Sequence, residues 1–221
     1  MAIDVATLRF ATRNLLRQKA RTAMTLASIV FGVVGLILSG GFVEDIFIQL
    51  RDATIHSRLG HLQVYKQGYR DNWTKDPTSY LLEDPGAIQD VIADYPEVLD
   101  SMRRITFFGV VNNGRTDLPI IGEGIEQAKE SAHFSKYFSV IRGRQLDPDG
   151  AYEILLGEGV AASLNVAVGD FLNVLTNTPD VGLNSLEFEV VGVFRTFSKD
   201  FDARAVRISL TDAQELLAVD G

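Results

Sequence analysis

Cysteine is absent from the 221 residues. That one absence removes a disulfide scaffold, a thiolate zinc site and a cysteine nucleophile. It leaves the compartment open, because a domain of this size can bury an adequate core without staples. Basic charge is scarce beyond the first 50 residues. Those 50 hold five basic residues (Arg9, Arg13, Arg17, Lys19, Arg21) against three acidic ones (Asp4, Glu44, Asp45), a net of +2. Taking them from the chain totals of 21 and 29 leaves 16 basic and 26 acidic residues, so residues 51–221 carry −10. A region so acidic repels nucleic acid, which is excluded as a partner.

Catalytic signatures are missing as well. There is no G-x-x-x-x-G-K-[ST] run, so no P-loop hydrolysis of a nucleotide is expected. The three histidines, His56, His61 and His133, share no metal-ligand spacing. Ser131, Ser135 and Ser139 lack a G-x-S-x-G elbow. Gly157-Glu158-Gly159-Val160-Ala161-Ala162 fits G-x-G-x-x-A after a short strand. Its helix breaks at Asn165–Gly169, however, which leaves no room for the crossover that a dinucleotide fold requires. Neither an enzyme, a cofactor nor a metal is expected.

What is present begins with a run of 22 residues without a charge, Thr22–Val43. As a helix it spans about 33 Å, slightly more than the ~30 Å hydrocarbon core of a bilayer. Arg13, Arg17, Lys19 and Arg21 precede it and Glu44 and Asp45 follow, so the N-terminus is expected in the cytoplasm and everything after about residue 44 outside. The run is too long for a signal peptide and no A-x-A-like site follows. Ser28, Gly32, Gly35 and Ser39 recur at i, i+4, i+7 and i+11, a face on which another transmembrane helix can approach closely. Residues 1–21 read as an amphipathic helix whose basic side, Arg9, Arg13, Arg17, Lys19 and Arg21, meets lipid head groups.

The helix is expected to continue as a stalk through Glu44–Ser57, so that residues 22–59 form span and stalk together. A strand is predicted at His61–Lys66 and a helix after Asp84-Pro85, with Asp as N-cap and Pro at the first helical position. Two strands, Arg103–Asn112 and Arg115–Gly122, are predicted on either side of a two-residue Asn113-Gly114 turn. Pro119 places the second at an edge or a bulge. The middle reads as a short strand at Ile154–Leu156, a helix at Glu158–Leu164, a strand from Phe171 and an alternating strand through Phe194. Val206, Ile208 and Leu210 alternate with Arg207 and Ser209. A capping box at Thr211–Gln214 then opens a last helix, Asp212–Val219. The fold class is α+β. An opening strand–helix–strand–strand order matches a split βαβ unit.

Four segments now carry a resemblance. RFATRNLLRQKARTAMTLASIVFGVVGL, at residues 9–36, resembles the start of membrane subunits in the MacB-like, FtsX-like group of ABC transporters. GHLQVYKQGY, LNVAVGDFLNVLT and VVGVFRTFSKDFDARAVRISLTDAQELL are similar to that group's extracytoplasmic core domain. The nearest look is to lipoprotein-releasing (Lol-type) permeases. The resemblance implies a porter-like subdomain, 60–125 with 205–221, carrying an inserted β-rich, Sabre-like subdomain at 126–204. It implies a permease of a bacterial inner membrane, worked by a separate cytoplasmic ATPase and paired with a second copy or paralogue. A lipoprotein, lipid, peptide or drug would be its cargo, with a periplasmic partner a further possibility of the group. Three more transmembrane helices normally follow the core domain in such proteins, so the chain is expected to be the N-terminal part of one. A rival reading is a single-span anchored binding or sensor domain that needs no ATPase.

Overall fold

The computed structural model describes residues 10, 13, 17–55, 59–73, 78–133, 138–178 and 182–219. The amphipathic helix expected over residues 1–21 lies mostly outside them. Two compact units are present, residues 1–52 and 53–221. The first is dominated by one helix, α1, Lys19–Thr54. Its apolar residues are spread evenly around the axis, as befits a helix whose surroundings are apolar on all sides.

The second unit starts with weakly packed pieces. The extended stretch 61–66 joins no ladder, contrary to the strand expected there. Its alternation finds no neighbouring strand to sit on, and Leu62 is 80% exposed. A one-turn helix, α2 (Tyr69–Asn72), and α3 (Pro85–Ala93) follow. Asp84 caps α3 by accepting from the Ala87 amide at 2.9 Å, with Pro85 at the first helical position, as read from the sequence.

Seven strands then form a mixed sheet: β1 Arg104–Asn112, β2 Asp117–Ile125, β3 Ser139–Gly143, β4 Glu153–Gly157, β5 Phe171–Thr178, β6 Gly182–Arg195 and β7 Ala205–Ser209. Their order is β3-β6-β4-β7-β2-β1-β5, and an added β5–β6 pairing closes six of them on each other. The helices α4 (Gln127–His133), α5 (Glu158–Leu164) and α6 (Lys199–Asp202) lie in the connections β2–β3, β4–β5 and β6–β7, and α7 (Leu210–Leu217) follows β7. Strands from residues 60–125, 126–204 and 205–221 thus share one sheet.

Local chemistry moves several boundaries. β1 and β2 are joined by four residues, 113–116, and not by two, because Asn112 pairs with Asp117. Asn113 Oδ1 accepts from the amides of Arg115 at 3.0 Å and Thr116 at 2.8 Å, building the wider turn. Pro119 sits where β2 has no second neighbour. The amide of Ile121 donates to Arg204 on the β7 side, and two residues earlier β7 has not yet begun. The last helix starts at Leu210, capped by Ser209 Oγ on the Asp212 amide at 3.0 Å, two residues before the expected capping box.

The core occupies both faces of the central strands. Ile154 and Leu156 of β4, with Val206 and Ile208 of β7, pack with Phe107, Phe188, Leu216 and Leu217. Leu155 and Ala205, on the opposite face, pack with Ile125, Phe138, Leu146 and Phe194. Each large aliphatic or aromatic side chain so buried contributes roughly 1.5–3 kcal/mol. Burial on both sides leaves no solvent face for the residues between them, which decides where the charges described next must lie.

Candidate functional site

Between Arg21 and Glu44 every residue of α1 is uncharged, and from Ala23 to Arg51 all are exposed. Among the described residues α1 is the one helix long and apolar enough to cross a membrane, with mean hydropathy 2.3 over its best window. An exposed apolar helix in water would be unstable; in lipid the same surface is matched to its solvent. Ser28, Gly32, Gly35 and Ser39 fall within about 60° of one another at 3.6 residues per turn. A Cβ built on Gly32 or Gly35 would meet nothing within 4 Å among the described residues. Ser28 Oγ donates to the Met24 carbonyl at 2.9 Å and Thr25 Oγ1 to the Arg21 carbonyl at 3.0 Å, so their hydroxyls are satisfied within the helix and cost little in lipid. Arg13, Arg17, Lys19 and Arg21 are all helical and exposed. Arg9 lies outside the described residues. Beyond the apolar run, Gln49 donates to Asp45 one turn back at 2.6 Å.

The second unit holds a cluster of charges that alternation alone places wrongly. Arg207 on β7 was expected opposite the apolar residues, yet it is 1% exposed. Its Nε donates to Glu123 Oε2 on β2 at 2.9 Å. Its Nη1 stands 3.6 Å from Glu130 Oε2 on α4. Arg104 on β1 closes the set, ion-paired to Glu130 Oε1 and 3.9 Å from Glu123. The Arg207 guanidinium lies 4.2 Å from the centre of the Phe138 ring and 5.8 Å from that of Phe194, positions that favour a cation over an aromatic face. Burial pushes the Arg207 guanidinium below its usual value. For Arg104 burial acts the same way, but Glu123 and Glu130 outweigh it and raise the group. Two cations and two anions balance. Strand register and α4 bring together residues as far apart in sequence as 104 and 207, which is why reading one segment at a time misses them. The available signals were lone charges of opposite sign inside apolar strands: Glu123 between Gly122 and Gly124, and Arg207 between Val206 and Ile208.

The other sequence candidates resolve into packing. A Cβ on Gly157 would stand 2.2 Å from the Asp202 carbonyl oxygen, and one on Gly159 would stand 2.6 Å from Ala203 Cα. These glycines let α5 meet the α6 turn, which is a structural need and not a phosphate cradle. Among the described residues no group of three or more His, Asp or Glu is placed to hold a metal ion. An open groove lined by Leu59, Leu62, Tyr65, Lys66 and Arg70 flanks the extended stretch, with Tyr65 stacked on Tyr69 at 4.7 Å. A clasp near α7 joins Tyr152, whose hydroxyl donates to Glu215 at 3.0 Å, and Asp212, which accepts from the Tyr152 amide at 3.1 Å.

Comparison with known proteins adds a continuous match. The family model described as MacB-like periplasmic core domain covers residues 22–220. No curated protein matches the chain. Among solved structures, similarity is found to the extracellular domain of the ABC-type transporter YknZ from Gram-positive bacteria, at 11% identity over 61% of this chain and 66% of that one, TM-score 0.45. The periplasmic region of MacB from Actinobacillus actinomycetemcomitans aligns at 13% identity over 71% and 67%, TM-score 0.47. A permease-protein domain from Porphyromonas gingivalis aligns at 16% identity over 60% and 60%, TM-score 0.42. The chain therefore spans less than two thirds of the first and third of these structures.

Proposed function

Since the chain belongs to the MacB-like periplasmic core domain family, we propose that it is a membrane subunit of an ABC transporter, of the permease kind. The carrying observation is that one family domain begins at residue 22 and runs to 220. The apolar helix is thus part of the same module as the outer domain, which argues against a leader that is cut away. In this reading the protein moves force and makes no bonds. A separate cytoplasmic ATPase closes two such subunits, identical or paralogous, and α1 carries the motion outward. At 36 residues the helix is about 54 Å long, more than the ~30 Å hydrocarbon core, so it can couple the two sides of a membrane.

Several finer assignments belong to this proposal. The N-terminus lies in the cytoplasm of a bacterial inner membrane, and residues after about 44 lie outside. Arg9, Arg13, Arg17, Lys19 and Arg21 sit at the lipid head groups, and Ser28, Gly32, Gly35 and Ser39 face a neighbouring helix. The cargo is a lipoprotein, lipid, peptide or drug, and lipoprotein is the class tested first, on the likeness of the quoted segments to Lol-type permeases. The porter-like part, 60–125 with 205–221, and the inserted part, 126–204, rest on chain order, since both contribute to one sheet.

The absence of cysteine makes the test clean. Gln49→Cys in the stalk, produced with the cognate ATPase, should crosslink two copies. The crosslink should stop release of a radiolabelled lipoprotein probe from the membrane while ATP hydrolysis stays measurable. Release that continues in the crosslinked pair overturns the lever. Purification without any ATPase, and no crosslink at any stalk position, overturns the transporter reading itself.

A further inference from the structure

Next to the charge cluster, a cavity of about 10 Å³ is lined by Ile125, Gln127, Glu130, Phe138, Gln145 and Arg207. That is room for one water and no larger molecule. Two acceptors in its wall, Gln127 Oε1 and Glu130 Oε2, have no hydrogen-bond donor among the described residues. Both residues are more than nine-tenths buried, at 6% and 4% exposure.

The orientation of the Gln127 amide is fixed by its neighbours. Ser131 Oγ gives its proton to the Gln127 carbonyl at 2.9 Å, so toward the side chain it can only accept. Gln127 Nε2 meets that need at 2.9 Å and also lies 3.3 Å from Gln145 Oε1. The amide therefore turns its nitrogen to Ser131 and its oxygen to the cavity. Glu130 is held from the other side, because its Oε1 is taken by Arg104. Its Oε2 stands 3.6 Å from Arg207 Nη1, an ion-pair distance too long for a good hydrogen bond and of the kind that a neighbouring water completes.

We infer that this cavity is a binding site for one ordered water, which donates one hydrogen to Gln127 Oε1 and the other to Glu130 Oε2. A single water carries the two donors that the two acceptors require. An apolar group would leave both buried oxygens unpaired, at greater cost than immobilising one water. The site ties α4 to the ion pairs of β1, β2 and β7, so the water is an integral member of the buried network.

Diffraction from the full chain, at a resolution where single waters are visible, should show a peak about 2.6–3.2 Å from both oxygens. A cavity found open but empty overturns the inference, as does Arg207 Nη1 moved into a direct hydrogen bond with Glu130 Oε2. In solution, oxygen-17 relaxation dispersion counts long-lived waters. Gln127→Met keeps the length of the side chain and removes the acceptor, and it should lose one such water relative to the parent. An unchanged count for a cooperatively folded Gln127→Met protein overturns it equally.

Discussion

Glu123 is fully buried and bonded to Arg207, itself 1% exposed. Replacing one member of such a pair leaves the other charged in a dry environment, which costs about 3–5 kcal/mol. Glu123→Ala is expected to lower unfolding stability by about that amount. The single tryptophan, Trp73, lies 5.6 Å from Phe108, and its fluorescence in a denaturant titration reports the loss. The double variant Glu123→Leu with Arg207→Met keeps the Arg104–Glu130 pair and leaves no orphaned charge. It should recover most of the deficit, since exchanging a buried ion pair for apolar groups is often neutral. A double variant as unstable as the single one would mean that the network supplies net stability beyond mutual neutralisation.

At the level of elements, Gly32 and Gly35 of α1 carry the sharpest expectation. Gly35→Leu in an exposed helical position raises helix propensity by roughly 1 kcal/mol, so any loss of association cannot come from a failing helix. It fills the groove that a neighbour would need. The stalk crosslink yield of Gly35→Leu should fall several-fold, while Trp73-monitored unfolding of the outer unit changes by less than about 0.5 kcal/mol. Elements such as α1, α3 and α5 were legible because caps, prolines and uncharged runs are local signals. The helix at Glu158–Leu164 coincides with its expected bounds. Strand partners were not legible, because pairing joins distant segments. His61–Lys66 alternates like a strand but has no ladder, and β3, Ser139–Gly143, is a five-residue strand with little alternation to read. Arg207 shows the limit most clearly. Alternation assigned it to the solvent face, but α4 and Phe138 cover that face, and period-2 reasoning has no means of seeing a second layer.

For the molecule as a whole, acidity dominates the sequence, and the carboxylates that matter to stability are the few that the fold engages. The Arg144 guanidinium, bonded to Glu153 through both nitrogens, holds that carboxyl below its usual range; burial opposes this and the Asp147 amide assists. Burial would raise Glu126, but the backbone and side chain of Arg103 outweigh it and lower the group. Asp212 runs the other way, raised chiefly by burial. A carboxyl with a lowered native pKa contributes stability above its unfolded value of about 4.3 and loses it as pH falls through the native value. A raised one penalises the native state at neutral pH and is relieved as pH falls through its native pKa toward about 3.9. Glu83 and Glu158 are lowered too, by their hydrogen bonds to Lys66 and Arg195, so four lowered carboxyls stand against one raised, and stability is expected to fall on acidification below about pH 4.3. Denaturant midpoints measured between pH 7 and pH 3 should therefore fall. Glu153→Gln should flatten that fall, because its share of the linkage is gone. Asp212→Asn, which keeps an acceptor for the Tyr152 amide, should steepen it by removing the opposing group. Equal slopes in the two variants would place the acid sensitivity elsewhere than in these engaged carboxylates.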